Sequence, residues 1–256
     1  MAAHAQRSGQ EPDPRAGVDE RLGETISLDT EFTTATGETV RIGDLIREGR
    51  PAVLNLVYHN CPMLCSLILD GVTATLKDLA WTPGAEFDVF TVSFDPADTP
   101  REAQARKARY LDTYGRYGAD EGWHFLTGTE ASINALTDEV GFRYYWDEET
   151  EQFMHTAVLV FISPEGVITR YLYGIQFQAD DVRKALVEAS AGTIGSTVDR
   201  FLYYCYVYDP EANAYVISPM NVMRIGGVMT MLLLGLMLVI FWRRERDRAD
   251  RILASS

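Results

Sequence analysis

The stretch Ala52-Val53-Leu54-Asn55-Leu56-Val57-Tyr58-His59-Asn60-Cys61-Pro62-Met63-Leu64-Cys65 decides the fold. Residues 52–58 form an apolar run of strand length, and from Leu64 to Leu79 apolar residues recur at helical spacing. A strand therefore leads into a helix, and two cysteines stand at the join. At a helix N-terminus the unpaired N–H groups and the dipole lower a thiol's pKa, giving a thiolate that attacks disulfides or binds a soft metal. Three intervening residues set the sulfurs about one helical turn apart on one face. Such a pair closes as a disulfide or grips a metal; a purely stabilising bridge is the weaker reading, because so small a loop removes little chain entropy.

Working outward, strand signals recur at Phe87 to Ser93, Ala157 to Ser163 and Val167 to Leu172, the last two joined by the turn Pro164-Glu165-Gly166. Helical patterning covers Pro100 to Tyr114, Glu130 to Val140 and Ala179 to Ala189. Helices alternate with apolar strands early and a hairpin closes the sheet late, which predicts an α/β sandwich of thioredoxin-like type. Glu24 to Ile46, with its turn Thr36-Gly37-Glu38, predicts an N-terminal hairpin extension. Residues 1–23 are polar, carry Pro12 and Pro14 and have no periodicity, so they read as a flexible leader before a folded domain at 24–190.

At 256 residues, the chain is sized for one folded domain with appendages. With 46% hydrophobic and 23% charged residues it is neither disordered nor low-complexity. Its 23 basic against 37 acidic residues give a net charge of −14, which argues against nucleic acid as a partner.

Residues 225–242, IGGVMTMLLLGLMLVIFW, are uncharged and have no polar face, which predicts a transmembrane helix. The tail 243–256 follows with Arg243, Arg244, Arg246, Arg248 and Arg251. By the positive-inside tendency that tail faces the cytoplasm, and the main domain faces the periplasm of a bacterial cell, anchored once in the cytoplasmic membrane lipid. Ala3-His4-Ala5 looks like the small-x-small end of a signal cleavage site, the expected remnant of an export signal. Residues 191–224, holding Phe201, Tyr203, Tyr204, Tyr206, Tyr208 and Tyr215, read as an interfacial collar before the span.

Two thiolates under-coordinate most metals, so a third ligand is sought among the histidines. His4 lies in the leader, His124 is flanked by Trp123 and Phe125 as a packed core residue would be, and His59 reads as a loop side chain open to solvent. His155 is the better candidate, because it enters a strand expected to run beside the one that ends at the dithiol. Two thiolates and an imidazole suit low-coordinate Cu(I); zinc would want a fourth ligand. As a lone histidine, His155 is equally readable as structural.

CPMLC at 61–65, Val92-Ser93-Phe94-Asp95-Pro96 with Asp98-Thr99-Pro100, Phe125-Leu126-Thr127-Gly128, and a histidine before a strand and Ser163-Pro164-Glu165-Gly166 occur together over about Gly23 to Ala189. In these features the chain resembles the Sco/SenC family of copper proteins that assist cytochrome oxidase assembly. The resemblance implies copper held by Cys61, Cys65 and His155, with the oxidase's copper-bearing subunit and a periplasmic thiol reductant as partners. It also places Asp95 and Asp98 in an acidic loop near the metal, although both read more simply as turn and helix-cap residues. Typical members carry an N-terminal anchor; a C-terminal one, preceded by Cys205-Tyr206-Val207-Tyr208-Asp209-Pro210, resembles a bacterial subgroup. Cys205 reads first as an inert thiol in the aromatic collar, with a transient copper or disulfide relay as the alternative. The competing function is a thiol–disulfide oxidoreductase that reduces partner cysteines without holding metal; a peroxide-reducing enzyme is weaker, since no Thr-x-x-Cys pattern occurs at the dithiol.

Overall fold

The computed structural model describes residues 14–46, 49–59 and 64–190, two later strands, and scattered helical positions between Met223 and Leu238. The chain divides into two compact units, Met1–Gly195 and Ser196–Ser256. In the first unit the elements run β1 (Gly17–Val18), β2 (Glu31–Thr34), β3 (Thr39–Arg41), α1 (Ile42–Leu45), β4 (Ala52–Val57), α2 (Leu64–Asp78), β5 (Asp88–Ser93) and α3 (Pro100–Tyr114). They continue with β6 (Trp123–Thr127), α4 (Glu130–Glu139), β7 (Phe142–Arg143), β8 (Tyr145–Asp147), β9 (Gln152–Met154), β10 (Val158–Ile162), β11 (Ile168–Tyr173) and α5 (Ala179–Ala189).

Seven strands make one mixed sheet in the order β11-β10-β4-β5-β6-β2-β3. β4, β5 and β6 are parallel neighbours at its centre, while β10 pairs antiparallel with both β4 and β11. Every residue of β4 and β5 is buried, as expected of central parallel strands covered on both faces. The topology is thioredoxin-like, and it puts the ends of β4 and β5 at one rim of the sheet, where β4 hands over to α2.

α3 shows why its ends are readable in sequence. Thr99 caps it, its hydroxyl accepting from the Glu102 N–H while the Glu102 carboxylate accepts from the Thr99 N–H, with Pro100 at the first helical position. It stops at Gly115, which takes φ +73° and returns its N–H to the Leu111 carbonyl. α3 seats Tyr110 against Trp123 and Phe125 of β6, with ring centroids 6.4 Å from each. α2 touches both α3 and α5.

The N-terminal strands lie inside this sheet rather than beside it: β2 pairs with β3 on one side and with β6 on the other. The fold also begins earlier than residue 24, because β1 pairs with β7 and the Asp19 N–H donates to the Gly141 carbonyl. β6 to β9 carry no clear signal in sequence. In the second unit, β12 (Tyr206–Asp209) pairs antiparallel with β13 (Ala214–Ile217), a hairpin within the expected aromatic collar. Among the described residues no helix is long and apolar enough to cross a membrane; the stretch 225–242 is described only at scattered positions.

Candidate functional site

Cys65 sits in the first turn of α2, fully buried. The Tyr58 N–H, just past the end of β4, donates to its Sγ at 3.4 Å. No acidic side chain occupies that first turn, so the positive end of the helix dipole faces the sulfur without a competing carboxylate. The connection between β9 and β10 brings in His155, whose Nε2 lies 3.7 Å from the Cys65 Sγ. Two residues 90 apart in sequence are thus joined through the antiparallel pairing of β10 with β4.

The His155 ring is aimed by its surroundings. Its Nδ1 is 3.2 Å from the Thr156 carbonyl; a proton assigned to Nδ1 satisfies that oxygen and leaves the Nε2 lone pair toward the sulfur. Phe94, Phe142 and Tyr58 surround it at ring-centroid distances of 5.0, 6.0 and 6.2 Å. Phe153 in turn packs on Tyr58 and Phe94 at 5.3 and 5.6 Å. These rings limit rotation of the imidazole, which stays half-exposed while the Cys65 sulfur beside it is buried.

The acidic loop takes two different roles. Asp98 is not the helix cap; Thr99 is. The Asp98 carboxylate is buried and accepts from the His59 N–H at 2.5 Å and the Ser93 hydroxyl at 2.6 Å. It therefore ties the end of β5 to the residue after Tyr58. Asp95 accepts from the Ala97 N–H at 2.8 Å, and burial pushes its carboxyl above the usual range. These hydrogen bonds tie both aspartates to loop backbone and, for Asp98, to the Ser93 hydroxyl.

His59 departs from the sequence expectation of an open loop side chain. It is only 3% exposed and stacks on Phe125 at 6.3 Å, because the bonds of Asp98 to its N–H and of Arg106 to its carbonyl turn this loop inward. Burial, then the neighbouring Arg106 charge, lowers its pKa to about 4, so the ring is neutral. His124 is half-buried, packed on Phe90 at 5.5 Å.

Cys61 and Cys205 lie outside the described residues. Among the described residues no group of three or more His, Cys, Asp or Glu side chains could hold a metal; what the structure does bring together is the Cys65–His155 pair. Thiol and imidazole are the soft donors that suit Cu(I). Their 3.7 Å separation is less than the sum of metal–sulfur and metal–nitrogen bonds of about 2.3 and 2.0 Å, so one ion could reach both.

A thioredoxin-like sheet carrying a helix-terminal cysteine against a histidine on the loop that enters the neighbouring strand defines a class of redox-active thiol proteins. Residues 19–190 match the family described as SCO1/SenC, and the chain belongs to that family. Among solved structures it is similar to a candidate electron transfer protein from Aquifex aeolicus VF5, at 30% identity and TM-score 0.57, covering 66% of this chain and 94% of that one. Two others share the fold at lower identity. BsSco, a member of the Sco family of cytochrome c oxidase assembly proteins studied for a disulfide switch, matches at 19% identity and TM-score 0.53, over 68% of this chain and 97% of that one. A SCO1/SenC family lipoprotein from Bacillus anthracis str. Ames matches at 18% and 0.53, over 67% and 99%. No curated protein matches the chain.

Proposed function

We propose that this chain is a membrane-anchored copper-binding protein that delivers copper, or reducing equivalents, to the copper-bearing subunit of cytochrome oxidase during its assembly. The observation that carries the reading is the approach of the Cys65 Sγ to the His155 Nε2 at 3.7 Å in a ring-lined, half-buried setting. Family membership supports it. Cys61, four residues before Cys65, supplies the second thiolate. Copper is the cargo, and the chain's own residues hold it: sulfur anions match the soft ion, and the neutral imidazole adds a third donor. Binding is redox-gated, because oxidation of Cys61 and Cys65 to a disulfide removes both thiolates. A reductant then restores the site by thiol–disulfide exchange, its own dithiol becoming a disulfide as the Cys61–Cys65 bond opens.

The test is Cu(I) titration of the reduced chain against a chromophoric chelator. His155→Ala is expected to lower affinity at least tenfold, and the fully disulfide-bonded protein to retain little copper. Unchanged affinity in His155→Ala would remove the copper reading and favour the oxidoreductase alternative, in which the same two cysteines reduce a partner's disulfide and need no histidine.

A further inference from the structure

We infer that Arg106 is a positioning residue for the Cys65–His155 pair, an inference that rests on the copper-site function proposed above. Arg106 lies in the second turn of α3, and its hydrogen bonds go to the residues next to the Tyr58–Cys65 contact. Its guanidinium spans the gap between two elements. The Nε donates to the His59 carbonyl at 2.9 Å, the Nη2 donates to the same oxygen at 2.5 Å, and the Nη1 donates to the Ser66 hydroxyl at 2.9 Å. His59 follows Tyr58, whose N–H reaches the Cys65 sulfur, and Ser66 follows Cys65 itself. The two anchor points therefore flank the two ends of the Tyr58–Cys65 contact.

Neighbours complete the clasp from the same side. One turn further along α3, the Tyr110 hydroxyl donates to the Ser66 carbonyl at 3.4 Å, and Asp98, before α3, takes the His59 N–H. α3 and the loop that opens it thus fix the first turn of α2 against the end of β4. His155 arrives on a different element and is held by its own rings. The sulfur-to-nitrogen separation consequently depends on where the first turn of α2 sits, and Arg106 sets that position with three bonds from one rigid plane. A lysine reaches the same region with a point charge and no fork, so it cannot hold both anchors in fixed geometry. Misplacing a reactive group by about 1 Å through a remote change is enough to matter for a site of this kind.

The experiment uses the full chain, reduced, as wild type, Arg106→Lys, Ser66→Ala and His155→Ala. Cu(I) affinity is measured by chelator competition. In the metal-free proteins the Tyr58 amide and His155 ring-nitrogen resonances are followed by NMR, and unfolding midpoints are recorded alongside. Arg106→Lys and Ser66→Ala are expected to lower copper affinity about three- to thirtyfold and to shift both resonances, with the fold retained. Wild-type affinity and unshifted resonances in both variants would overturn the inference. If Arg106→Lys fails to fold, Ser66→Ala decides, since it removes one anchor with the guanidinium still present. If the wild-type chain itself binds no copper, the proposed function falls, and the resonances of the metal-free proteins still decide the role of Arg106.

Discussion

At the residue scale, buried His59 couples folding to pH. Its pKa is lowered from 6.5 to about 4, by burial first and the Arg106 charge second. Between those values the unfolded chain binds a proton that the folded chain refuses, so stability falls as pH falls through 6.5 toward 4. The loss between pH 8 and pH 5 is ~2 kcal/mol from this group. His59→Phe, which keeps an aromatic ring against Phe125, is expected to flatten the dependence over that window. Denaturant midpoints of the reduced, metal-free proteins at pH 8, 6.5 and 5 measure it, and parallel curves for the two proteins would contradict it. Legibility at this scale follows chemistry. Cys65 and His155 are visible in sequence because few residue types bind soft metals or exchange disulfides. Asp98 and Arg106 are not: an aspartate beside Thr-Pro reads as a cap, and an arginine on a polar helix reads as a solvated charge. Their roles exist only once β4, β5 and α3 converge.

Elements were legible where a local cause fixes them. β4 is apolar but for Asn55, β5 is rich in β-branched and aromatic residues, and α3 runs from a capping box to a glycine, so their extents follow from short-range rules. β6 to β9 were not, since these strands mix aromatic and polar residues; β6 and β7 are moreover paired with distant strands, as when Thr33 and Thr34 of β2 meet Thr127 and Leu126, while β8 and β9 make a short hairpin of their own. Gly71 shows the same tertiary override inside a helix. Alanine there gains intrinsic helix propensity of about 1 kcal/mol. Yet a Cβ on Gly71 would stand 1.9 Å from the Ile175 carbonyl oxygen, in the loop after β11. Backbone on both sides leaves no side-chain end to swing away, so overpacking dominates. Gly71→Ala is therefore expected to destabilise by roughly 1–3 kcal/mol, read as a lower urea midpoint. A higher midpoint would mean that the loop carrying Ile175 yields freely.

For the whole molecule, the question that decides whether the dithiol needs a redox partner is which side of a membrane the first unit faces. The uncharged run at 225–242, followed by five arginines, argues for a span with the tail in the cytoplasm and residues 14–190 outside it. A dithiol outside the cytoplasm is exposed to oxidation and must be reduced again, whereas a cytosolic one stays reduced and needs no such cycle. The fold supplies a clean reporter position: Tyr117, just after α3, is fully exposed and makes no part of the site. In a chain carrying Cys61→Ser and Cys205→Ser, with Cys65 buried, Tyr117→Cys is expected to react with a membrane-impermeant maleimide in intact spheroplasts. Alkaline phosphatase fused after Ser256 is expected to be inactive in the same cells. Labelling that appears only after lysis, together with an active fusion, would place the first unit in the cytosol. The Cys65–His155 geometry would stand in that case, but a disulfide-gated copper cycle would lose the oxidising compartment it requires, and delivery to an oxidase subunit across the membrane would fall with it.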